Sequence, residues 1–370
     1  MASPPDDYLD DPRFSRIFEL PPDPSRGRDA PFKVKYADYG YRNEAHPEQE
    51  HVLLFFSPLM GSRLLHVAKD ALAKRHKTRI ISPDRPGIGG TDPVDAKDRL
   101  RVSREVIIEL LRHLGIQHVF LACHSGGTVY ALDMLVHHPE ILHPEMPYLA
   151  IGGPWILPSH TGSKLLSLAR SLPVQVLGQT DTFVKLINNH VGPMIGTSLG
   201  LSTGLAAKLG SNTAGHDRTA ANTSNQEADF EERIWDKVME RIYEEGVQGL
   251  SPEAILLLQK VDGADGWGDW RDYDTLVPRL VEALRSTGST LNVVVFYAEK
   301  DLLIGDGDSK GPLWFDRCWD APDQRDTINY YREIIRGSDH NGIWNLGCGT
   351  VQQVFAQIDR LTVNLAQPIV

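Results

Sequence analysis

The stretch His118-Val119-Phe120-Leu121-Ala122-Cys123-His124-Ser125-Gly126-Gly127 changes character at its serine. The residues before Ser125 form an apolar run of the kind found in strands that are buried on both faces. The two glycines after it allow a tight turn in which neighbouring backbones pass close together, and a helix-compatible segment starts at Val129. We therefore predict a strand, a sharp turn and a helix, with the Ser125 hydroxyl held above the edge of a sheet.

The small residues around Ser125 are spaced as in a nucleophile elbow, whose usual pattern is Gly-x-Ser-x-Gly. Cys123 stands at the first small position and Gly127 at the last. A thiol is compact, so we expect Cys123 to be a small buried side chain. A Ser-Gly-Gly turn without a chemical role is the alternative reading of this stretch, and the residues further along the chain decide between the two.

Composition limits the classes of partner. Of the 370 residues, 41% are hydrophobic and 24% are charged, as in ordinary globular proteins, and the formal net charge is −11. This charge argues against nucleic acid or an anionic membrane surface as the main partner. The acidic N-terminus is no secretory signal, and no apolar run approaches the ~18 residues of a membrane span. We expect a cytoplasmic protein without a membrane span.

The cysteines are few and scattered. Cys123, Cys318 and Cys348 are too far apart in sequence to indicate a disulfide framework or a zinc site. We expect neither a metal nor an organic cofactor.

Apolar runs and amphipathic segments alternate on both sides of the serine stretch. Strands are predicted at 32–36, 52–56, 78–82 and 148–151. A helix is predicted from an N-cap at Ser103 to Gly115, with its apolar residues on one face. Strands that alternate with helices favour an α/β fold, with a mostly parallel, doubly wound sheet covered on both faces.

Residues 156–285 break this rhythm and predict a helical insertion. Its helices are expected at 163–171, 181–190, 227–245 and 252–260, with a loop at 210–226. Glycines recur at every fourth position from 192 to 204, and tight helix packing explains them better than a flexible lid. The strand pattern returns at 291–297 and 329–335, and a final helix contains Val351 to Leu361. The predicted organisation is an extended N-terminal arm (1–30), a first core segment (31–155), the helical cap (156–285) and a second core segment (286–370).

Two further side chains complete a possible reaction centre with Ser125. A serine hydroxyl is a weak nucleophile that needs an adjacent base, and the base needs an orienting group. Active groups in parallel sheets gather beyond the carboxyl ends of the strands. Asp301 follows the strand at 291–297, and His340 follows the strand at 329–335. Ser125, Asp301 and His340 also follow one another in the chain order expected for this architecture.

With these features the chain resembles the α/β-hydrolase-fold superfamily of serine hydrolases with a helical cap. The resemblance covers about 32–155 and 286–368. It is carried by the elbow at Ser125, the turn Asp84-Arg85-Pro86-Gly87-Ile88-Gly89-Gly90-Thr91, the acid loop Glu299-Lys300-Asp301 and the pair Asp339-His340. The Pro154-Trp155 turn and the stretch Trp267-Gly268-Asp269-Trp270 are similar to those of uncharacterised fungal members.

The resemblance has one departure. The family usually has His-Gly after the strand at 52–56, and this chain has Ser57-Pro58-Leu59-Met60-Gly61-Ser62. The resemblance implies an oxyanion hole made by the backbone N–H groups of Leu59 and Gly126. Backbone donors survive a change of side chain, although Pro58 has no N–H to give. The geometry of this loop therefore decides how well the hole works.

The expected activity is hydrolysis of a small apolar ester or lactone through an acyl-enzyme on Ser125. His340 would act as the base and Asp301 would orient it. Serine at this position, where an alkyl-enzyme mechanism needs aspartate, argues against epoxide or haloalkane hydrolysis. Two alternatives stay open: an acyltransferase or thioesterase with the same triad, and a ligand-binding protein that keeps the fold without turnover.

Other polar and aromatic residues have candidate roles beside Ser125, Asp301 and His340. His124, Trp155, His160 and Trp267 are candidates for the substrate pocket, with His124 a poor candidate for the base. Asp339 is expected to cap a loop, and Asp306 and Asp308 are expected to lie in a solvated turn. The sequence also leaves open a homodimer formed through the cap.

Overall fold

The computed structural model describes residues 5–59, 61–179 and 218–365. They form an eight-stranded sheet in the spatial order β1-β2-β4-β3-β5-β6-β7-β8. Strand β2 is antiparallel to both of its neighbours, and every other neighbouring pair is parallel. The strands are β1 (Arg16–Leu20), β2 (Phe32–Gly40), β3 (His51–Phe56), β4 (Thr78–Pro83), β5 (Phe120–Ser125), β6 (Tyr148–Pro154), β7 (Leu291–Lys300) and β8 (Ile328–Asp339).

The sheet is buried on both faces because successive side chains of each strand point to opposite sides. In β3, Leu54 and Phe56 join one hydrophobic core and Leu53 and Phe55 join the other. The residues of β5, β6 and β7 divide between the two cores in the same way. The predicted α/β class, with a mostly parallel sheet covered on both sides, is confirmed.

Helices cover the two faces. They are α1 (Pro5–Leu9), α2 (Asp70–Arg75), α3 (Arg99–His113), α4 (Gly127–His137), α5 (Pro158–Thr161), α6 (Lys164–Ser171), α7 (Val174–Leu177), α8 (Arg218–Glu245), α9 (Leu250–Leu257), α10 (Tyr273–Thr287), α11 (Lys310–Cys318) and α12 (Thr350–Leu365). Helices α3, α4, α10 and α11 contribute to one core, and α2, α8 and α12 contribute to the other. Within the described part of the chain, no helix has both the length and the apolar character needed to cross a membrane.

The N-terminal arm has more structure than the sequence predicted. Strand β1 pairs with β2 and so forms one edge of the sheet. Leu9 and Phe14 are buried in the second core, and the Phe14 carbonyl accepts a hydrogen bond from the buried guanidinium of Arg63. The prediction of an arm without a core missed these contacts because its apolar residues are isolated among Pro, Asp and Arg.

Two further differences concern helices. Helix α3 begins at Arg99, so Ser103 lies inside the helix and is not its N-cap. In the first turn, the buried guanidinium of Arg99 pairs with Glu253 at 2.8 Å. In the predicted loop at 210–226, residues 218–226 belong to α8. The helix predicted at 181–190, the glycines from 192 to 204 and residues 210–217 lie outside the described residues.

The predicted cap, 156–285, contains segments with different neighbours. Helix α10 lies against α4 and helps to cover the sheet. Helix α8 packs on the opposite core, where Glu231 pairs with Lys69 at 2.6 Å and accepts a hydrogen bond from the Leu346 amide. By its packing, α10 belongs with the sheet layers; the cap as a separate domain stays a prediction.

Candidate active site

Ser125 occupies the turn between β5 and α4 in a conformation that side chains seldom adopt. Its φ angle is +50°, in the left-handed region that residues other than glycine rarely enter. The backbone around it is crowded, because a Cβ atom on Gly127 would lie 2.2 Å from the Phe56 carbonyl oxygen. The predicted sharp turn is present, and Gly127 is required by the close approach of β3. Strain of this kind gathers at functional sites.

Ser125, His340 and Asp301 are joined by hydrogen bonds. His340 Nε2 lies 2.9 Å from Ser125 Oγ, and His340 Nδ1 lies 2.7 Å from Asp301 Oδ2. The three residues are 4%, 2% and 3% exposed. An ionised carboxylate only accepts hydrogen bonds, so the Nδ1–H of His340 donates to Asp301. Nε2 is then free to accept the Ser125 hydroxyl proton.

The loop after β7 holds Asp301 in place. Its Oδ1 accepts hydrogen bonds from the backbone amides of Leu303 (2.8 Å) and Ile304 (2.9 Å), leaving Oδ2 for His340. The Asp301 amide donates to Asp306 Oδ1 at 2.9 Å. Asp306 therefore caps the acid loop. Asp339 caps the next loop, as expected, and accepts from the Asn341 and Gly342 amides.

His124 lies beside the triad. Its Nε2–H donates to the backbone carbonyl of His340 at 2.8 Å. Burial, together with the neighbouring His340, lowers the pKa of His124 to about 3, so its ring is neutral at physiological pH. His124 Nε2 is committed to that carbonyl and so supports the backbone of His340, and Nδ1 has no hydrogen-bond partner among the described groups. That His124 is not the base stays a prediction.

The backbone amides of Leu59 and Gly126 lie close together at the elbow. A Cβ atom on Gly126 would be 3.6 Å from the Leu59 nitrogen. Among the described groups, none accepts a hydrogen bond from either amide. The Leu59 N–H and the Pro58 carbonyl belong to the same peptide unit. The Pro58 oxygen accepts hydrogen bonds from the Gly61 amide at 3.0 Å and from Arg85. The Ser57-Pro58 loop is thus compatible with a pair of free donors beside Ser125.

The two predicted pocket tryptophans, Trp155 and Trp267, support a neighbouring helix. The indole N–H of Trp155 donates to the Leu257 carbonyl at 3.0 Å, and that of Trp267 donates to the Leu256 carbonyl at 3.0 Å. They fix the C-terminal end of α9, where the Leu257 side chain meets the elbow. A Cβ atom on Gly126 would lie 2.7 Å from Leu257 Cδ1.

Leu257 was not predicted as a site residue. Helix α9 is apolar on most of its surface, so no periodic pattern distinguishes the leucine that meets Gly126.

His160 has partners of its own. Its Nε2 lies 3.1 Å from Asp272 Oδ2, and its ring stacks on Trp314 with a centroid distance of 3.7 Å. Burial raises the pKa of Asp272 to about 7. These contacts tie α5 to the start of α10 and to α11, and none of them joins His160 to the Ser125–His340–Asp301 chain.

One group of side chains in the described ranges has metal-like spacing: Asp133, His137 and Asp269. Both carboxylates already have cationic partners, Arg104 for Asp133 and Arg279 for Asp269. The group is electrostatically satisfied by the protein itself and lacks the excess negative charge that favours a divalent cation.

Comparison with known proteins identifies the fold. No protein-family model matches the chain, and no curated protein does. A thermophilic esterase from Thermogutta terrifontis covers 94% of this chain and 99% of its own, with 12% identity and a TM-score of 0.54. An esterase from Exiguobacterium antarcticum covers 89% and 96%, with 13% identity and a TM-score of 0.52. An epoxide hydrolase from Vigna radiata covers 95% and 98%, with 11% identity and a TM-score of 0.51.

These likenesses show that the chain has the α/β-hydrolase fold, as its sequence motifs indicated. The resemblance to fungal members stays a prediction. Structures named for different reactions share this fold, so the reaction must be argued from the site.

Proposed function

We propose that this protein is a serine hydrolase that cleaves carboxylic esters through an acyl-enzyme on Ser125. The proposal rests on one observation: Ser125 Oγ, His340 and Asp301 form a continuous buried chain of hydrogen bonds of 2.9 and 2.7 Å. A positioned base and an orienting carboxylate are what an unactivated serine needs. In the neighbour named an epoxide hydrolase the fold is the same, but an ester mechanism is favoured here by the serine itself.

In the first half-reaction, Ser125 Oγ attacks the ester carbonyl carbon while His340 Nε2 takes the hydroxyl proton. The carbonyl oxygen becomes an oxyanion that accepts hydrogen bonds from the Leu59 and Gly126 amides. The intermediate collapses when the C–O bond to the alcohol breaks, and His340 returns the proton to the leaving oxygen. Asp301 stabilises the imidazolium in between.

In the second half-reaction, water replaces the alcohol. It gives one proton to His340 and attacks the acyl carbon, and the proton then returns to Ser125 as the acid leaves. The Leu59 and Gly126 amides would donate to the oxyanion of each of the two tetrahedral intermediates.

A small apolar acyl group fits the walls of the elbow best. Two aliphatic side chains lie beside the proposed oxyanion donors: Leu257 is fully buried against Gly126, and Leu59 is partly buried in the same core. An apolar ester or lactone would exclude water from these surfaces and bury its own carbon atoms. Transfer to an alcohol or amine, as in an acyltransferase, uses the same triad and differs only in the second acceptor.

The test is covalent labelling with a fluorophosphonate, followed by mass spectrometry of the labelled peptide. We expect label on Ser125 in the wild type and none in Ser125→Ala or His340→Ala. Asp339→Asn is the matched control. Asp339 is the neighbour of His340, and an asparagine oxygen can still accept the hydrogen bonds from the Asn341 and Gly342 amides. A folded wild-type protein that stays unlabelled would contradict the proposal and favour the ligand-binding alternative.

A second measurement addresses the substrate. Hydrolysis of p-nitrophenyl esters of increasing acyl length and of simple lactones should show saturable, Ser125-dependent rates for short apolar acyl groups. Added alcohol or amine acceptors should leave the amount of free acid unchanged. A product ester or amide in place of the acid would replace hydrolysis with acyl transfer.

A further inference from the structure

Arg85 contacts the loop that contains the Leu59 amide. Its Nη2 donates to the Pro58 carbonyl oxygen, which belongs to the same peptide unit as the Leu59 N–H. In a trans peptide the C=O and N–H bonds point in opposite directions within one rigid plane. A guanidinium that fixes the Pro58 oxygen therefore fixes the direction of the Leu59 N–H as well.

The charge on Arg85 adds an electronic effect. Peptide resonance links the two ends of the unit, so a cation bonded to the oxygen draws electron density from the nitrogen and strengthens N–H as a donor. The Gly61 amide donates to the same oxygen at 3.0 Å. Two donors thus hold one oxygen, and one of them carries a full charge.

Arg85 is buried beside an acidic and an aromatic side chain. Its Nη1 lies 3.0 Å from Glu253 Oε1, and its guanidinium lies over the Tyr130 ring, 5.0 Å from the centroid. Glu253 Oε2 also accepts hydrogen bonds from Arg99 (2.8 Å) and from the Tyr130 hydroxyl (2.6 Å). Arg85 is 6% exposed and Glu253 1% exposed. The ion pair, the ring contact and burial restrain the Arg85 guanidinium, while its Nε and Nη1 donate no hydrogen bond to any described group.

The residue before Arg85 holds the other end of the loop. Asp84 Oδ1 accepts a hydrogen bond from the Arg63 amide at 2.5 Å. The turn after β4 therefore forms hydrogen bonds with the loop after β3 at two places, Pro58 and Arg63. This loop lacks the usual His-Gly, and the turn supplies a restraint on its conformation.

We propose that Arg85 is a positioning residue for the oxyanion hole: it orients and polarises the Pro58–Leu59 peptide so that the Leu59 N–H faces the reacting oxygen. The proposal rests on the proposed hydrolase function for its consequence, although the contact itself can be tested without activity. Arg85 does not touch the substrate and acts through the backbone of Leu59.

The sequence offers a selective spectroscopic test. Proline is followed by leucine at two places, Pro58-Leu59 and Pro312-Leu313. In protein labelled with ¹³C-carbonyl proline and ¹⁵N-leucine, an HNCO spectrum reports only these two peptides. The Leu313 amide, bonded to the Ser309 carbonyl at 3.1 Å at the start of α11, is an internal reference.

We expect Arg85→Lys to move the Leu59 signal and to leave the Leu313 signal in place, because an ammonium group cannot bridge Pro58 and Glu253 as a guanidinium does. Arg99→Lys is the matched control: it alters the same Glu253 carboxylate without touching Pro58. Glu253→Gln, which keeps Arg85 but removes its ion pair, should give an intermediate shift. A Leu59 signal unchanged in Arg85→Lys, or shifted equally in Arg99→Lys, would overturn the proposal.

Kinetics form the second arm. An aryl trifluoromethyl ketone forms an oxyanion adduct with an active serine, so its affinity reports on the oxyanion hole. Arg85→Lys should lower this affinity and kcat by a similar factor of about 10 or more. KM for the ester should change little. Complete loss of an oxyanion donor costs about 10²–10³ in rate, which sets the upper limit. A change in KM alone would contradict the assigned role. If wild-type Ser125 is never labelled, the hydrolase proposal fails, and the two-signal spectrum still decides whether Arg85 holds the peptide.

Discussion

His124 Nε2 lies 2.8 Å from the carbonyl oxygen of His340, so the residue that precedes Ser125 in the chain supports the residue that hydrogen-bonds to Ser125 in space. The two ring centroids are 5.3 Å apart. The elbow and the loop after β8 are therefore joined twice, once through the Ser125 hydroxyl and once through the backbone of His340.

We expect His124→Phe to weaken both stability and activity. It keeps an aromatic ring but leaves a buried carbonyl without its donor, which costs about 1–3 kcal/mol in free energy of unfolding. The backbone of His340 would gain freedom, so kcat should fall while the fluorophosphonate label still appears on Ser125. Urea unfolding and ester hydrolysis measure the two effects. Unchanged kcat in a destabilised variant would limit His124 to a role in stability.

Asp301→Asn should be far more harmful to activity than to folding. Asp301 Oδ1 accepts two backbone amides, so the asparagine oxygen must stay there and its NH₂ group must face His340 Nδ1. That donor forces the proton of His340 onto Nε2, where it can no longer accept from Ser125. We expect kcat to fall by about 10⁴, the usual effect of replacing the orienting acid of a Ser-His-Asp triad by its amide.

Asp339→Asn is the control for this prediction, since Asp339 Oδ1 caps the Asn341 and Gly342 amides and an amide oxygen can do the same. Its kcat should stay near that of the wild type. If the two variants were equally impaired, Asp301 would lose its assignment as the orienting acid.

The sheet, and the grouping of Ser125, Asp301 and His340 at one edge of it, were predictable from sequence because local patterns encode both. The apolar runs that became β3, β5 and β7 are continuous, as strands buried on two faces require. Parallel strands place their carboxyl ends together, so Ser125, Asp301 and His340 could be grouped without knowing the intervening structure. The distances of 2.9 and 2.7 Å within this group needed the structure.

The parts that sequence reasoning missed depend on contacts between distant segments. Leu257 meets Gly126 because two indole N–H groups hold the end of α9, and nothing in the local pattern of α9 marks that residue. Arg85 was noticed only as part of a turn, since its bond to Pro58 spans 27 positions. The pairing of β1 with β2 was missed because the arm's few apolar residues show no regular period.

The contact between Gly126 and Leu257 predicts that shortening Leu257 will restore activity to Gly126→Ala. A Cβ atom on Gly126 would lie 2.7 Å from Leu257 Cδ1, the end of a side chain that substitution can shorten. Gly126→Ala should lose most activity, and Leu257→Ala should lose about 2–5 kcal/mol of stability, as buried leucines do. The double variant should be more active than Gly126→Ala alone. Initial rates with short and long acyl esters would measure this coupling.

Gly127→Ala is the contrasting control, because its Cβ would lie 2.2 Å from the Phe56 carbonyl oxygen. This oxygen belongs to the backbone, so no substitution can remove the clash. Leu257→Ala should not rescue it. Equal rescue of both glycine variants would show that Leu257 acts on the elbow in some way other than this contact. The space opened at Leu257 should also raise the relative rate of longer acyl groups.

His66 predicts a dependence of stability on pH. It is buried between Phe55 and Trp344, and neither ring nitrogen has a partner among the described groups. Burial, with smaller effects of Lys69 and His124, holds the pKa of His66 well below its usual value. Below a pH of about 6.5, His66 therefore binds a proton in the unfolded chain but not in the folded chain. Stability is present above that pH and is lost as the pH falls, by up to about 1.4 kcal/mol per unit.

His66→Phe removes this proton uptake and two ring nitrogens that have no partner in the described part of the chain. It keeps an aromatic ring against Phe55, 4.3 Å away in the wild type. We expect the free energy of unfolding to rise at pH 7 and to fall less steeply between pH 6.5 and 5 than in the wild type. His124 also stays neutral in the folded state, with a pKa of about 3, so part of the acid sensitivity should remain. Denaturant unfolding at pH 5, 6, 7 and 8 gives both slopes. An unchanged acid slope in His66→Phe would mean that His66 is protonated in the folded protein, and its ring nitrogens would then need a partner.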